Sequence, residues 1–179
     1  MPTVSVRSSE RDLQLHSSRP LYTAAERVRR DESVWTLVQG VLAPIQFLVF
    51  LVSLGLVLRY LSTGNGQEVA LWSVAIKTMT LYTIMISGCI WEKAVFGRYL
   101  FAPAFYWEDV FSMLVLALHT AYLAALATDI LSTRSLMYLA LVAYLTYVIN
   151  AGQFIWKLRM ARLDLAKQQA EMSHDGLTA

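Results

Sequence analysis

Cysteine is almost missing from this chain. Cys89 stands alone, which excludes an intramolecular disulfide and any cluster held by several thiolates. Charge is scarce too: Asp, Glu, Lys and Arg make up 16% of the residues, against about 25% in an ordinary soluble domain. Histidine occurs three times. His16 and His174 belong to the tails, so a bis-His haem site within one chain is excluded and only His119 lies in an apolar segment. There is no glycine-rich phosphate loop, no Ser-His-Asp arrangement and no HxxxH spacing. The stretch before Trp35 carries Arg7, Arg11, Arg19, Arg27, Arg29 and Arg30 without an apolar run, so it does not read as a cleaved signal peptide. A net charge of +2 gives no reason to invoke nucleic acid.

What is abundant is apolar surface, with 56% hydrophobic residues and a mean hydropathy of +0.47. It is concentrated in four runs, Leu37–Leu58, Val69–Ile90, Val110–Ile130 and Leu136–Ile155. Each has about the 20 residues that a helix needs to cross a hydrocarbon core of roughly 30 Å. The expected fold is therefore all-α: a polytopic membrane protein with four transmembrane helices in one bundle. The expected organisation is a disordered tail over 1–22, a membrane domain over 23–160 and a second tail over 161–179. The spans are expected at about 37–58, 69–90, 107–130 and 136–156. Six basic residues precede the first run, two (Lys93, Arg98) lie between the second and third, and four (Lys157, Arg159, Arg162, Lys167) follow the last. Only Arg59 and Arg134 fall on the other side. This bias predicts that both termini and the connection from Glu92 to Asp109 are cytoplasmic.

Thr23-Ala-Ala-Glu26 has the pattern of a capping box and predicts a short helix running on towards Trp35. In the first span Gln39, Gln46, Ser53 and Tyr60 recur every seven residues and share a face, while Pro44 predicts a kink. A polar stripe of that kind either joins helices or lines a cavity. In the second span Lys77 is expected to snorkel or to pair with a carboxylate, and Tyr82, Thr83 and Ser87 are candidates for an interior lining. Glu108, Ser112, Val115, His119 and Tyr122 share one face of the third span, and Ala117, Ala121 and Ala125 form a small-residue seam for close packing. The fourth span carries Thr146, Asn150, Gln153 and Lys157. The connection between spans two and three is aromatic rather than hydrophilic, which suits either an interfacial belt or a segment folded over the bundle mouth.

The candidate chemistry gathers around that connection. Ionisable groups at or inside a membrane are costly, and so are candidates for function. Glu92 ends the second run, at the negative end of a helix dipole, which favours a neutral carboxyl group; Glu108 and Asp109 open the third, where the dipole favours the charged form. Two carboxyl groups separated in this way suit acid–base addition or elimination. His119 reads as a ligand, a proton-transfer group or a hydrogen-bonded packing residue.

The run IWEKAVFGRYLFAPAFYWEDVFSMLVLALHTAYLAAL, together with WTLVQGVLAPIQFLVFLVSLGLVLRYL, resembles the 3-vinyl (bacterio)chlorophyllide hydratase family of bacteriochlorophyll biosynthesis, also called 2-vinyl bacteriochlorophyllide hydratase. The resemblance covers roughly Tyr22 to Lys157. It implies addition of water to the C3 vinyl group of chlorophyllide a or bacteriochlorophyllide a, giving a 3-(1-hydroxyethyl) group without a cofactor, in the bacterial cytoplasmic membrane. On that expectation Glu92, Glu108, Asp109 and His119 are the catalytic candidates. Trp91, Phe105, Tyr106, Trp107, Gln46 and Asn150 are candidates for binding the macrocycle, and Lys93 or Arg98 for holding its propionate. The protein itself binds no metal in this reading, and His119 is either a ligand of the substrate's magnesium or a proton donor. The partners implied are the tetrapyrrole and the lipid bilayer, with a homo-oligomer or contacts with other enzymes of the pathway left open. The rival reading is a membrane tetrapyrrole carrier or assembly factor with the same pocket and no turnover.

Overall fold

The computed structural model describes residues 21–175. The stretch expected to be disordered lies outside these residues up to position 20, as does His16. Among the described residues there are five helices: α1 (Ala24–Glu32), α2 (Val34–Thr63), α3 (Gln67–Phe96), α4 (Tyr106–Thr128) and α5 (Thr133–Asp175). Four of them are long and apolar enough to cross a membrane, α5 over Thr133–Leu163. Large apolar side chains such as Leu48, Val52, Ile86 and Leu145 point outward from the bundle. That is the arrangement expected where the surrounding solvent is lipid.

Each helix begins and ends for a local reason. The Thr23 hydroxyl accepts the Glu26 N–H at 3.3 Å, and Glu26 Oε2 accepts the Thr23 N–H at 2.8 Å, which completes the capping box. The helix does not run on to Trp35, as the sequence pattern suggested. Ser33 leaves helical geometry and its hydroxyl accepts the Trp35 N–H at 3.3 Å, so it caps a new helix instead. Pro44 leaves α2 continuous in the assignment. The turn between α2 and α3 uses Gly64 and Gly66 at φ +74° and +83°, a region open to glycine at little cost.

The four long helices form two antiparallel hairpins, α2 packing chiefly on α3 and α4 chiefly on α5. The hairpins meet through a buried core in which Phe50 packs on Tyr144 and Tyr147 at ring-centroid distances of 5.3 and 5.1 Å. One polar pair crosses this seam and two others lie within the hairpins. Ser53 and Tyr144 are hydrogen-bonded at 2.6 Å, Gln39 donates to Ser87 at 2.7 Å, and Asn150 donates to Ser112 at 2.8 Å. The α4 face that the spacing predicted is buried as a set: Glu108, Ser112, Val115, His119 and Tyr122.

Three expectations are corrected. Ala117 and Ala121 face outward and only Ala125 is buried, so the small-residue seam is not an internal one. Thr83 is exposed and Tyr82 half-buried, its hydroxyl paired with Thr120 at 2.8 Å, so of the three proposed lining residues only Ser87 is interior. Lys77 neither snorkels nor meets a carboxylate: it is 0% exposed, and its Nζ lies 3.9 Å from the centre of the Tyr147 ring. Its position mid-helix, far from either end, leaves the four-carbon stem too short to reach an interface, and aromatic faces take the place of an anion.

Candidate active site

The nine residues between α3 and α4, positions 97–105, form a cover over one end of the bundle. Gly97, at φ +80°, ends α3 and donates its N–H to the Lys93 carbonyl at 3.1 Å. The chain then folds inward so that Ala102 and Phe105 are fully buried. Phe105 packs on Trp91 and Phe96 at 5.7 and 5.9 Å and stacks on Phe154 of α5 at 5.7 Å. Tyr22 stacks on Phe96 at 5.7 Å under Arg30, and Arg29 Nε donates to the Val95 carbonyl at 2.8 Å. The Trp91 indole N–H donates to Thr36 at 2.9 Å. The aromatic connection is thus a packed plug that α1 straps down, not a loop in water.

This cover holds two carboxyl groups. The Phe101 N–H donates to Asp109 Oδ2 at 2.8 Å, and the next N–H, that of Ala102, donates to Glu92 Oε2 at 3.3 Å. Phe101 has φ +58°, a left-handed conformation unusual for a side chain of its size. Such strain costs on the order of 1–3 kcal/mol and persists only where the surroundings enforce it. Its effect is to aim two successive N–H groups at Asp109 and Glu92, so that neighbouring amides of one loop hold the two carboxyl groups. Both side chains are buried. The sequence reading assigned Glu92 to a helix end, but α3 runs one turn further, to Phe96. Its environment is therefore made by Asp109, burial and the Ala102 N–H rather than by the helix terminus, whose influence fades within a turn.

Glu108 belongs to a different group. Lys157 Nζ lies 2.6 Å from Glu108 Oε2 and 5.1 Å from the centre of the Phe105 ring. The three acidic candidates thus divide into a carboxyl pair and an ion pair on neighbouring faces of α4. Beside the ion pair is an open groove of about 540 Å³, lined by Glu108, Gly152, Gln153, Trp156, Lys157 and Met160. Trp156 is 69% exposed and offers a flat apolar face at its rim. Lys157 was visible in the sequence only as the last member of a polar stripe. Its partner is 49 positions away, and nothing local joins them.

The other candidates divide by position. Phe105 is core and Trp91 is a half-buried wall residue, whereas Tyr106 and Trp107 point outward. Lys93 and Arg98 are exposed, with Lys93 Nζ donating to the Gly97 carbonyl at 2.9 Å. Gln46 and Asn150 are buried in the bundle. His119 lies deep, about 16 Å along α4 from Glu108. It is 0% exposed, its Nδ1 is 2.8 Å from the Val115 carbonyl and its ring is 5.9 Å from that of Tyr144. Bonding to a carbonyl makes Nδ1 the donor and leaves a lone pair on Nε2. Among the described residues no group of three His, Cys, Asp or Glu side chains is arranged to hold a metal ion.

The family model described as 2-vinyl bacteriochlorophyllide hydratase matches residues 22–160, which includes both hairpins, the cover and α1. A protein named 2-vinyl bacteriochlorophyllide hydratase from Cereibacter sphaeroides is 66% identical over 152 residues, covering 84% of this chain and 94% of that one. One of the same name from Rhodobacter capsulatus is 63% identical over 154 residues, covering 86% and 90%. No solved structure matches the chain. With all five helices or most of each inside the match, and relatives identical at nearly two positions in three, the chain belongs to the 2-vinyl bacteriochlorophyllide hydratase family.

Proposed function

We propose that the protein adds water across the C3 vinyl group of a chlorophyllide-type tetrapyrrole, chlorophyllide a or bacteriochlorophyllide a, and that Glu92 and Asp109 supply the proton. The carrying observation is the pair itself: two buried carboxyl groups held by consecutive backbone N–H groups of the strained cover. An unactivated vinyl group is a poor electrophile, so the first need is an acid. Glu92 gives its proton to the terminal vinyl carbon, the π pair forms the new C–H bond, and positive charge develops on the inner carbon, spread into the macrocycle. The carboxylate left on the pair faces that charge and stabilises it. Water then attacks the inner carbon and its second proton passes to a carboxylate, Asp109 or Glu108. One molecule of water is added, a 1-hydroxyethyl group results, and no electron changes hands.

The groove beside Glu108 and Lys157 suits a flat, largely apolar guest arriving from the bilayer, and Trp156 suits stacking against its face. In this reading the vinyl edge enters first, towards the carboxyl pair. The propionate edge stays at the surface, where Lys93 and Arg98 are free to meet it. Both termini and the cover lie on the cytoplasmic side of the bacterial cytoplasmic membrane, as the distribution of basic residues indicates. The membrane domain is residues 23–160, between two tails. The deciding experiment mixes purified protein with chlorophyllide a and no other reagent, and follows the absorption of the 3-vinyl chromophore. Turnover shifts that absorption, with the product carrying one more water by mass. A carrier binds and leaves both unchanged.

A further inference from the structure

Inside the bundle, away from the carboxyl pair, five buried side-chain atoms have no hydrogen-bond partner among the described residues: Gln46 Oε1, Lys77 Nζ, His119 Nε2, Asn150 Oδ1 and Gln153 Oε1. They come from all four long helices. Buried polar groups are almost always paired, with protein or with ordered water. Five exceptions in one seam form a pattern.

They are stacked rather than scattered. On α5, Tyr147, Asn150, Gln153 and Lys157 follow at intervals of three or four residues, each about one turn and so about 5 Å from the next. Lys77 sits on the Tyr147 ring, and His119 packs on Tyr144 one turn deeper. The antiparallel register that brings Phe50 to Tyr147 puts Gln46 level with Asn150. The stack ends at Lys157 and Glu108, in the wall of the groove.

The chemistry of the five atoms identifies the ligand. Asn150 spends its amide N–H on Ser112, which fixes Oδ1 as an acceptor, and His119 Nε2 is an acceptor because Nδ1 faces a carbonyl. Four acceptors cannot satisfy one another. An anion would meet their lone pairs, and a metal cation would meet Lys77. Water alone offers two donors to such acceptors and an acceptor to Lys77. A water bridging two groups through hydrogen bonds of about 2.8 Å also spans roughly one helical turn.

We propose that this seam holds a file of ordered waters, running from Lys77 and His119 to Glu108, and that the hydration reaction draws its water from it. The proposal rests on the hydratase reading for its second half; the first half stands alone. It gives Gln46 and Asn150 a role facing water rather than the macrocycle.

X-ray radiolytic labelling of the full-length protein in nanodiscs, in ¹⁸O-water, tests both halves. Hydroxyl radicals made from bound water mark the side chains beside it. Tyr144 is expected to gain ¹⁸O sooner than Met137, which is about as buried, more easily oxidised and seven residues away on the same helix, and Tyr147 is expected to be labelled with it. Labelling no faster than at Met137 overturns the proposal. Asn150→Leu interrupts the file, and is expected to reduce those labels and to lower kcat at least about tenfold, with KM for the pigment little changed. Gln46→Leu serves if that variant does not fold. Lost labels with an unchanged kcat overturn the supply of water to the reaction. If wild-type protein labels as expected but converts no vinyl pigment, the hydratase reading is what has failed.

Discussion

Glu92 and Asp109, one from each hairpin, are held side by side by two consecutive N–H groups of a single strained loop, at 3.3 Å from Ala102 and 2.8 Å from Phe101. On the proposed mechanism this pair holds the proton and, once it leaves, faces the developing cation with a carboxylate.

Glu92→Gln keeps the shape of the pair and removes its transferable proton. Turnover is expected to fall by roughly 10²–10⁴, the usual share of general acid catalysis, while pigment binding survives. Asp109→Asn is expected to lower turnover as well, by removing the charge that faces the cation. The measurement is conversion of chlorophyllide by membranes carrying each variant, normalised to folded protein. Rates near wild type in both variants would remove the pair from the mechanism.

Lys157 and Glu108 form an ion pair that is largely shielded, with side-chain exposures of 27% and 11%. Lys157→Met leaves Glu108 without its counter-charge and is expected to cost about 1–3 kcal/mol of stability. Adding Glu108→Gln removes the orphaned charge and is expected to recover most of that loss. Thermal unfolding in one detergent gives the double-mutant cycle. An effect of Glu108→Gln that is the same with and without Lys157→Met would show that the two side chains are not coupled.

His119 carries a lone pair on Nε2, but the ring is buried and faces Tyr144 inside the seam. The macrocycle cannot reach that atom unless the hairpins separate. His119→Ala is therefore expected to weaken binding of chlorophyllide and of its magnesium-free analogue by similar factors. A loss confined to the magnesium form would make His119 an axial ligand instead. Titration by pigment fluorescence distinguishes the two.

For topology, reporter fusions at Gly64 and Ser132 are expected to be periplasmic and one at the C-terminus cytoplasmic. A periplasmic C-terminus would mean either an inverted bundle or an odd number of spans, and either outcome would overturn the topology proposed above.

Much of this was legible in the sequence, because lipid makes strong demands. The four apolar helices and the buried face from Glu108 to Tyr122 follow from hydropathy and helical period, and the capping box at Thr23 from the Thr-x-x-Glu pattern. Period says which residues share a face, but not which way a face turns when two are plausible. The spacing groups Ala117, Ala121 and Ala125 as a seam for close packing, but only Ala125 is buried within the chain and Ala117 and Ala121 face out. The division of the acidic cluster was not legible, since it depends on a lysine 49 positions from Glu108. Nor was the clamp at Phe101, because a positive φ at phenylalanine is imposed by its surroundings and leaves no mark in composition. Lys77 was misjudged because aromatic faces are a less familiar partner for a cation than a carboxylate.

The cover has one more consequence. It is the only covalent link between the α2–α3 and α4–α5 hairpins, and it contributes both of the N–H groups that hold the carboxyls. Neither hairpin alone holds the pair: Glu92 comes from one and Asp109 from the other. On the proposed mechanism, activity therefore reports correct assembly. A chain whose halves insert but fail to dock would have all of its spans in the membrane and no turnover.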